Sequence, residues 1–404
     1  MKTLAKVLFV VAAALFVLAG IGYVVKKDDV DRLMVVNTLF DADRIVDNFS
    51  NMDRAFLTRT LDVPIRDDWT VADVTLPETV TIAGAVRSLG EVLDELDTTA
   101  LVIVRDGRII HESYYLGTGP DDRRVSWSVA KSFMSGLYGK ALEDGAIASL
   151  DDDVTAYVPD LVGTAYDGAS LRNILNMSSG VRFDEDYLDQ GSDINKMGRT
   201  IALGGSLDRY TTGLTERQFE PGTDWQYVSM DTHVAAWALR NATGKSLHEL
   251  WEETYGPLGF RQPPFYLTDG EGTAFALGGL NLTARDYAKF GQLFLQGGES
   301  NGRQLIPADW VAASTVHSAP VLSDRDVGYG YQWWVPMPAD RDFFAVGIYG
   351  QYVYVDPKTN IVIAKNAADR EFMGGGSGGA HTMSDNIDLF RSLAAQLGET
   401  AESD

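Results

Sequence analysis

Strand-like segments are concentrated at the two ends of residues 96–398, and this distribution constrains the fold more than any other feature. Near the start, residues 99–105 and 108–115 are rich in β-formers and flank an Asp-Gly pair, which predicts a hairpin. Near the end, four short β-rich runs are separated by turn residues: 329–335, 343–348, 352–355 and 361–365. A helical pattern follows at about 382–397. These patterns predict an α/β (α+β) fold, in which both ends of the chain build one antiparallel sheet around a mostly helical insertion at roughly 146–280.

The region before this sheet divides into two parts. Residues 28–95 mix short helical and extended patterns broken by prolines and aspartates, which predicts a linker and an accessory layer. Residues 7–25 form an uncharged apolar run flanked by lysines, and as a helix they would span roughly the hydrocarbon core of a bilayer. The small-residue cleavage sites near Gly20 are weak. We therefore expect residues 1–27 to be an uncleaved membrane anchor rather than a cleaved signal, with the rest of the chain exported to the periplasm, or secreted if cleavage occurs.

Composition excludes several kinds of chemistry. The formal net charge of −23 disfavours binding to nucleic acid and to anionic membrane surfaces. Cysteine is absent, which rules out disulfides and thiolate catalysis. The five histidines lack the spacing of metal ligands, so no metal site is predicted. His233 lies in an alanine-rich helical run and is interpreted as a core residue.

A helix is predicted to begin near Ser128. Apolar residues recur every four positions in two adjacent stripes, one of them starting at Val129, and such a pattern is typical of a buried helix. Gly145 is the expected stop signal. Lys131 follows Ser128 by three positions, so the two side chains share one helix face. A serine hydroxyl needs a neighbouring base to become a nucleophile, and burial favours the neutral, basic form of a lysine.

Ser-x-x-Lys is a short pattern that also occurs by chance, but other segments extend it. Residues 128–131, 171–180 and 221–229 resemble, in the expected order, the motifs of the beta-lactamase-related serine hydrolases. Residues 278–286, followed by Phe290 and Gly291, resemble a structural segment of the same family. The resemblance spans roughly residues 85–395. Within this family, the Tyr-x-Ser element at residues 227–229, residues 347–351 and the loop at residues 186–189 are most similar to the branch of the 6-aminohexanoate-dimer hydrolases.

The resemblance assigns roles to individual residues. Ser128 matches the nucleophile and Lys131 the adjacent base. Tyr227 matches the phenol that relays a proton to the leaving group, and Ser229 takes the third place of that Tyr-x-Ser element. Tyr187 lies in a loop similar to one in which a tyrosine closes over the substrate amide, although a surface aromatic residue is an equal alternative.

The family's third element departs from its usual pattern. Relatives carry Lys-Thr-Gly or His-x-Gly on a strand, whereas this chain has Ala345, Val346 and Gly347. The missing cation disfavours a substrate whose carboxylate it would bind. The N–H of Ile348 would still fall where a second oxyanion donor is expected, because a backbone donor does not depend on side-chain identity.

The sequence thus predicts a hydrolase of small amides or esters that works through an acyl-enzyme and needs no metal or organic cofactor. A β-lactamase or a D-alanyl-D-alanine carboxypeptidase is one alternative. A catalytically inert ligand-binding or sensor module on the same scaffold is another. A rival nucleophile pattern, Gly-x-Ser-x-Gly at residues 375–379, lacks the preceding strand that a nucleophile elbow requires.

Overall fold

The computed structural model describes residues 27–72, 74–320, 327–373 and 383–399. The helices are α1 (Lys27–Asn37), α2 (Ile45–Ser50), α3 (Leu89–Glu95), α4 (Val129–Glu143), α5 (Val154–Tyr157), α6 (Leu171–Leu175), α7 (Asp193–Ala202), α8 (Leu207–Thr212), α9 (Ser229–Thr243), α10 (Leu247–Tyr255), α11 (Ala284–Leu295), α12 (Ala308–Ser314) and α13 (Met383–Glu399). The strands are β1 (Leu57–Thr60), β2 (Thr79–Ile82), β3 (Ala85–Ser88), β4 (Thr98–Arg105), β5 (Arg108–Tyr114), β6 (Arg124–Val125), β7 (Phe265–Thr268), β8 (Leu280–Leu282), β9 (Glu299–Ser300), β10 (Arg303–Gln304), β11 (Val327–Tyr329), β12 (Trp334–Pro336), β13 (Phe343–Gly347), β14 (Gln351–Asp356) and β15 (Ile361–Ala367).

The main sheet is antiparallel and is closed by both ends of the chain, as the sequence predicts. Its seven strands lie in the order β11-β12-β13-β14-β15-β4-β5. The early hairpin meets the late strands where β15 pairs with β4, with Ile363 opposite Ile103. The α/β fold class is therefore confirmed.

Helices cover both faces of this sheet. Because side chains alternate along a strand, Val102 and Val104 face one layer while Leu101 and Ile103 face the other. The first layer contains α4 and α11, whose Phe133 and Phe290 stack with ring centroids 3.6 Å apart. The second layer contains α3 and α13.

A smaller sheet lies beside the first layer and leads into α4. Its strand order is β1-β7-β8-β6, and β6 ends directly before the segment that opens α4. Helix α4 ends at Glu143, two residues before Gly145, which adopts a left-handed φ of 72°. The predicted helix and its stop signal are confirmed.

One predicted strand is wrong. Residues 329–335 are not one continuous strand, because β11 ends at Tyr329, β12 begins at Trp334, and residues 330–333 lie between them. The break occurs at Gln332, whose φ is 65°. Its carbonyl accepts a hydrogen bond from Ser132 at 2.6 Å, and its side-chain oxygen accepts one from Thr232 at 2.7 Å. These tertiary contacts override the local β propensity and tie the sheet edge to α4 and α9.

Candidate active site

Ser128 and Lys131 meet at the N-terminus of α4. Ser128 is the residue before the first helical turn, and Lys131 lies one turn further. The Lys131 Nζ donates hydrogen bonds to the Ser128 Oγ at 2.8 Å and to the carbonyl oxygen of Leu277 at 2.9 Å. Lys131 is only 2% exposed. The predicted pairing of these two side chains is thus present in the geometry, although their catalytic roles remain predictions.

Burial governs the protonation of Lys131. It lowers the pKa of the ammonium group to about 7, and the negative charge of Glu185 acts in the opposite direction. Burial raises the pKa of the Glu185 carboxyl, while Lys131 opposes that rise. A substantial fraction of Lys131 is therefore the neutral amine near neutral pH, the form that can accept a proton.

Tyr227 lies on the other side of the Lys131 amine. Its ring centroid is 5.1 Å from the Lys131 Nζ, and its ring stacks on Trp334 at 5.5 Å. Burial raises the pKa of the phenol well above its usual value, and a hydrogen bond with Ser128 acts against this rise. The phenol stays protonated at neutral pH, so it can donate a proton or a hydrogen bond.

Gly347 ends β13 directly against the start of α4. A Cβ at this position would lie 3.0 Å from the backbone nitrogen of Ser128 and would clash with the carbonyl oxygen of Ser126. The strand approaches the Ser128 backbone this closely because Gly347 has no side chain. Ile348, the next residue, lines the same cavity as Ser128. This places the two predicted oxyanion donors, the N–H groups of Ser128 and Ile348, on adjoining segments.

Tyr187 and Ser229 converge on Glu185. The Tyr187 hydroxyl donates to the Glu185 Oε2 at 2.9 Å, and the Ser229 hydroxyl donates to the same oxygen at 3.2 Å. The Ser229 backbone N–H donates to the other carboxylate oxygen. Asn195 fixes the Tyr187 loop by donating to the Tyr187 carbonyl at 2.9 Å. Tyr187 and Ser229 also line the cavity that contains Ser128.

Glu185 was not predicted from the sequence as a residue of the site. It lies two positions before Tyr187, within an acidic stretch of which most members are exposed. Composition alone does not distinguish the one carboxylate that turns inward from its solvated neighbours. The signal that could have found it is its place two residues before Tyr187, in the loop that the family resemblance assigns to the substrate site.

A cavity of about 360 Å³ opens beside Ser128. One wall comes from α1 and the segment after it, through Val36, Leu39, Phe40 and Phe56. The region interpreted from sequence as a linker and accessory layer therefore contributes directly to the site. This contribution was not predicted, because apolar residues in a short amphipathic segment are compatible with any packed surface.

Other sequence features lie elsewhere. His233 is fully buried and pairs with Asp208 at 2.8 Å, as expected for a core residue. Within the described ranges, no group of three or more His, Asp or Glu side chains is arranged to hold a metal ion. The Gly-x-Ser-x-Gly pattern at 375–379 and the apolar run at 7–25 lie outside the described residues. Among helices of the described part of the chain, none is long and apolar enough to cross a membrane.

Comparison with known proteins places the chain in a family. The family model described as Beta-lactamase matches residues 68–376. A 6-aminohexanoate-dimer hydrolase from Paenarthrobacter ureafaciens is 31% identical over 299 residues, covering 70% of this chain and 76% of that protein.

Solved structures also resemble this chain. A Bacillus anthracis structure assigned as a 6-aminohexanoate-dimer hydrolase superposes with a TM-score of 0.79 and 26% identity, covering 89% of this chain and 96% of that one. The octameric penicillin-binding protein homologue from Pyrococcus abyssi shares the fold, with a TM-score of 0.56, 18% identity and coverage of 77% and 76%. The chain therefore belongs to the beta-lactamase family of hydrolases and is related within it to a 6-aminohexanoate-dimer hydrolase.

Proposed function

We propose that this protein is a serine hydrolase that cleaves an amide or ester bond of a small substrate through an acyl-enzyme on Ser128. The observation that carries the proposal is the 2.8 Å hydrogen bond between the Lys131 Nζ and the Ser128 Oγ. It joins a nucleophile to a base whose pKa burial lowers to about 7. An inert binding module needs neither this contact nor this pKa.

The reaction has two halves. Neutral Lys131 accepts the Ser128 proton while the Oγ forms a bond to the substrate carbonyl carbon, and the N–H groups of Ser128 and Ile348 bind the oxyanion. Tyr227 passes a proton to the departing amine or alcohol as the C–N or C–O bond breaks, and the Lys131 ammonium replaces that proton. Water then attacks the acyl ester, Lys131 takes its proton, and the carboxylic acid leaves as the proton returns to Ser128.

The substrate is proposed to be a small linear amide or ester rather than a β-lactam or a peptidoglycan stem. The relative from Paenarthrobacter ureafaciens, named as a hydrolase of the 6-aminohexanoate dimer, supports an amide substrate. The resemblance to the family puts Ala345 at the position where other members carry a carboxylate-binding cation, and the Ala345 side chain is fully buried in the core.

Covalent labelling tests the proposal. A fluorophosphonate probe should label the wild-type protein, and peptide mapping should place the adduct on Ser128. The Ser128→Ala variant should stay unlabelled and should not hydrolyse p-nitrophenyl esters or short amides. In Ser229→Ala, which lacks the other serine hydroxyl of the cavity, Ser128 should remain the labelled residue. Labelling of Ser128→Ala at the wild-type rate would refute the assignment.

A further inference from the structure

The cavity beside Ser128 is built largely from apolar side chains. They come from the N-terminal segment, from α7 and from the loop between β7 and β8, and they include Leu39, Phe56, Ile194, Met197, Ile201 and Phe275. Its volume of about 360 Å³ is in the range of small-molecule sites. A substrate chain that enters it exchanges water for hydrocarbon, which favours methylene groups.

The described lining of this cavity carries a single type of charge, which is positive. Arg199, on α7, is the one charged side chain among the described residues of the lining. It is exposed, and it forms no ion pair with any residue in the described ranges. Lys196, one turn earlier on the same helix, is not in the lining and pairs with Asp193 at 3.1 Å. An arginine that forms no ion pair with the described residues and lies at the edge of an apolar cavity can bind a carboxylate through two parallel hydrogen bonds.

The described lining contains no carboxylate, and Glu185, which contacts Tyr187 and Ser229 of that lining, is already engaged. Glu185 accepts hydrogen bonds from Tyr187 and Ser229, and its charge acts on Lys131. A positively charged chain end would therefore meet an apolar wall and Arg199, with no carboxylate in the described lining to pair with it, which is costly.

Resting on the function proposed above, we infer that the cavity binds an apolar chain that carries no positive charge, and that Arg199 binds a carboxylate at the chain end. The site thus discriminates against substrates whose chain ends in an amine, as in 6-aminohexanoate.

Three p-nitrophenyl esters of matched chain length test this inference: the hexanoyl, the 5-carboxypentanoyl and the 6-aminohexanoyl ester. The wild-type protein should hydrolyse the first two with a kcat/KM about tenfold or more above that of the third, after subtraction of the Ser128→Ala rate. Arg199→Gln should lower the ratio of the carboxylate ester to the hexanoyl ester about tenfold. Arg199→Glu should shift the preference towards the amine. Lys196→Gln, which removes the same charge one turn away, should leave the ratio unchanged.

The outcomes separate the two proposals. A wild-type preference for the 6-aminohexanoyl ester, or an unchanged ratio in Arg199→Gln, overturns the assignment of the cavity and leaves the hydrolase intact. If none of the three esters is hydrolysed while a fluorophosphonate still labels Ser128, the assignment of the cavity is also overturned. Absence of labelling refutes the hydrolase itself.

Discussion

At the scale of single residues, the proposed chemistry depends on one lysine losing its proton near neutral pH. Lys131 is almost fully buried, and its amine contacts the Ser128 hydroxyl and the Leu277 carbonyl. Burial disfavours the ammonium form, and Glu185 favours it. The balance between these two effects sets the fraction of Lys131 that can act as a base.

The pH dependence of kcat/KM should report this balance. Above pH 7 Lys131 is mostly neutral, so activity should rise with pH through about 7. Glu185→Gln removes the charge that stabilises the ammonium form, so the pKa of Lys131 should fall and the rising limb should move to lower pH. Steady-state pH profiles measure this shift. The control is Glu216→Gln, which changes an exposed carboxylate that pairs with Arg182 and should leave the pH profile unchanged. A shift of the rising limb to higher pH in Glu185→Gln would contradict the account.

Loss of the base itself should be severe. Lys131→Met should lower kcat/KM by about 10²- to 10⁴-fold, the usual contribution of a positioned general base. Lys140 is a partly exposed lysine on the same helix, so Lys140→Met provides the matched control and should stay near the wild-type rate. Both rates follow from p-nitrophenyl ester hydrolysis, with circular dichroism as a check on folding. A Lys131→Met enzyme with full activity would remove Lys131 from the mechanism.

At the scale of structural elements, a cluster of aromatic side chains packs against the segments that carry the proposed oxyanion donors. Phe49 of α2 packs edge-on against Trp127 at 5.6 Å and Tyr349 at 5.3 Å. Trp127 directly precedes Ser128, and Tyr349 directly follows Ile348. Both have left-handed φ values, 42° and 61°, which are strained for bulky residues. Packing from the N-terminal segment therefore supports two strained backbones, one beside Ser128 and one beside Ile348.

Phe49→Leu should test this support. The change nearly conserves volume, so stability should fall by less than about 1.5 kcal/mol. We expect kcat to fall about fivefold to tenfold with little change in KM, because Phe49 does not line the cavity and strained segments relax when their packing is loosened. The control is Phe265→Leu, at a similarly buried phenylalanine whose ring, among the described residues, forms no aromatic pair with Trp127 or Tyr349; this variant should keep its kcat. Equal kcat values in the two variants would contradict a positioning role for Phe49.

At the scale of the whole molecule, the antiparallel sheet joins early and late strands of the chain against α4, the helix that begins at Ser128 and carries Lys131. This architecture was predictable, since alternation, turn residues and the double apolar stripe of α4 are local signals with a direct structural meaning. The pairing of Ser128 with Lys131 was predictable for the same reason. The inward turn of Glu185 and the packing of Phe40 over the site were not, because they depend on contacts between residues far apart in sequence.

The stacking of α4 on α11 should dominate stability. Phe133 is fully buried against Phe290, so Phe133→Ala should lower the free energy of unfolding by about 3–5 kcal/mol. Val162→Ala, at an exposed position, should change it by less than about 0.5 kcal/mol. Urea denaturation measures both. A loss below about 1 kcal/mol for Phe133→Ala would show that this contact does not anchor the fold.

The most direct test of the central claim is to trap the acyl-enzyme. The wild-type protein, mixed with p-nitrophenyl hexanoate and quenched in acid within the first turnovers, should carry one hexanoyl group, and fragmentation should place it on Ser128. The account predicts this adduct in wild type and a much slower appearance in Lys131→Met. Rapid hydrolysis with the acyl group on another residue, or an equally fast adduct without the Lys131 amine, would contradict it.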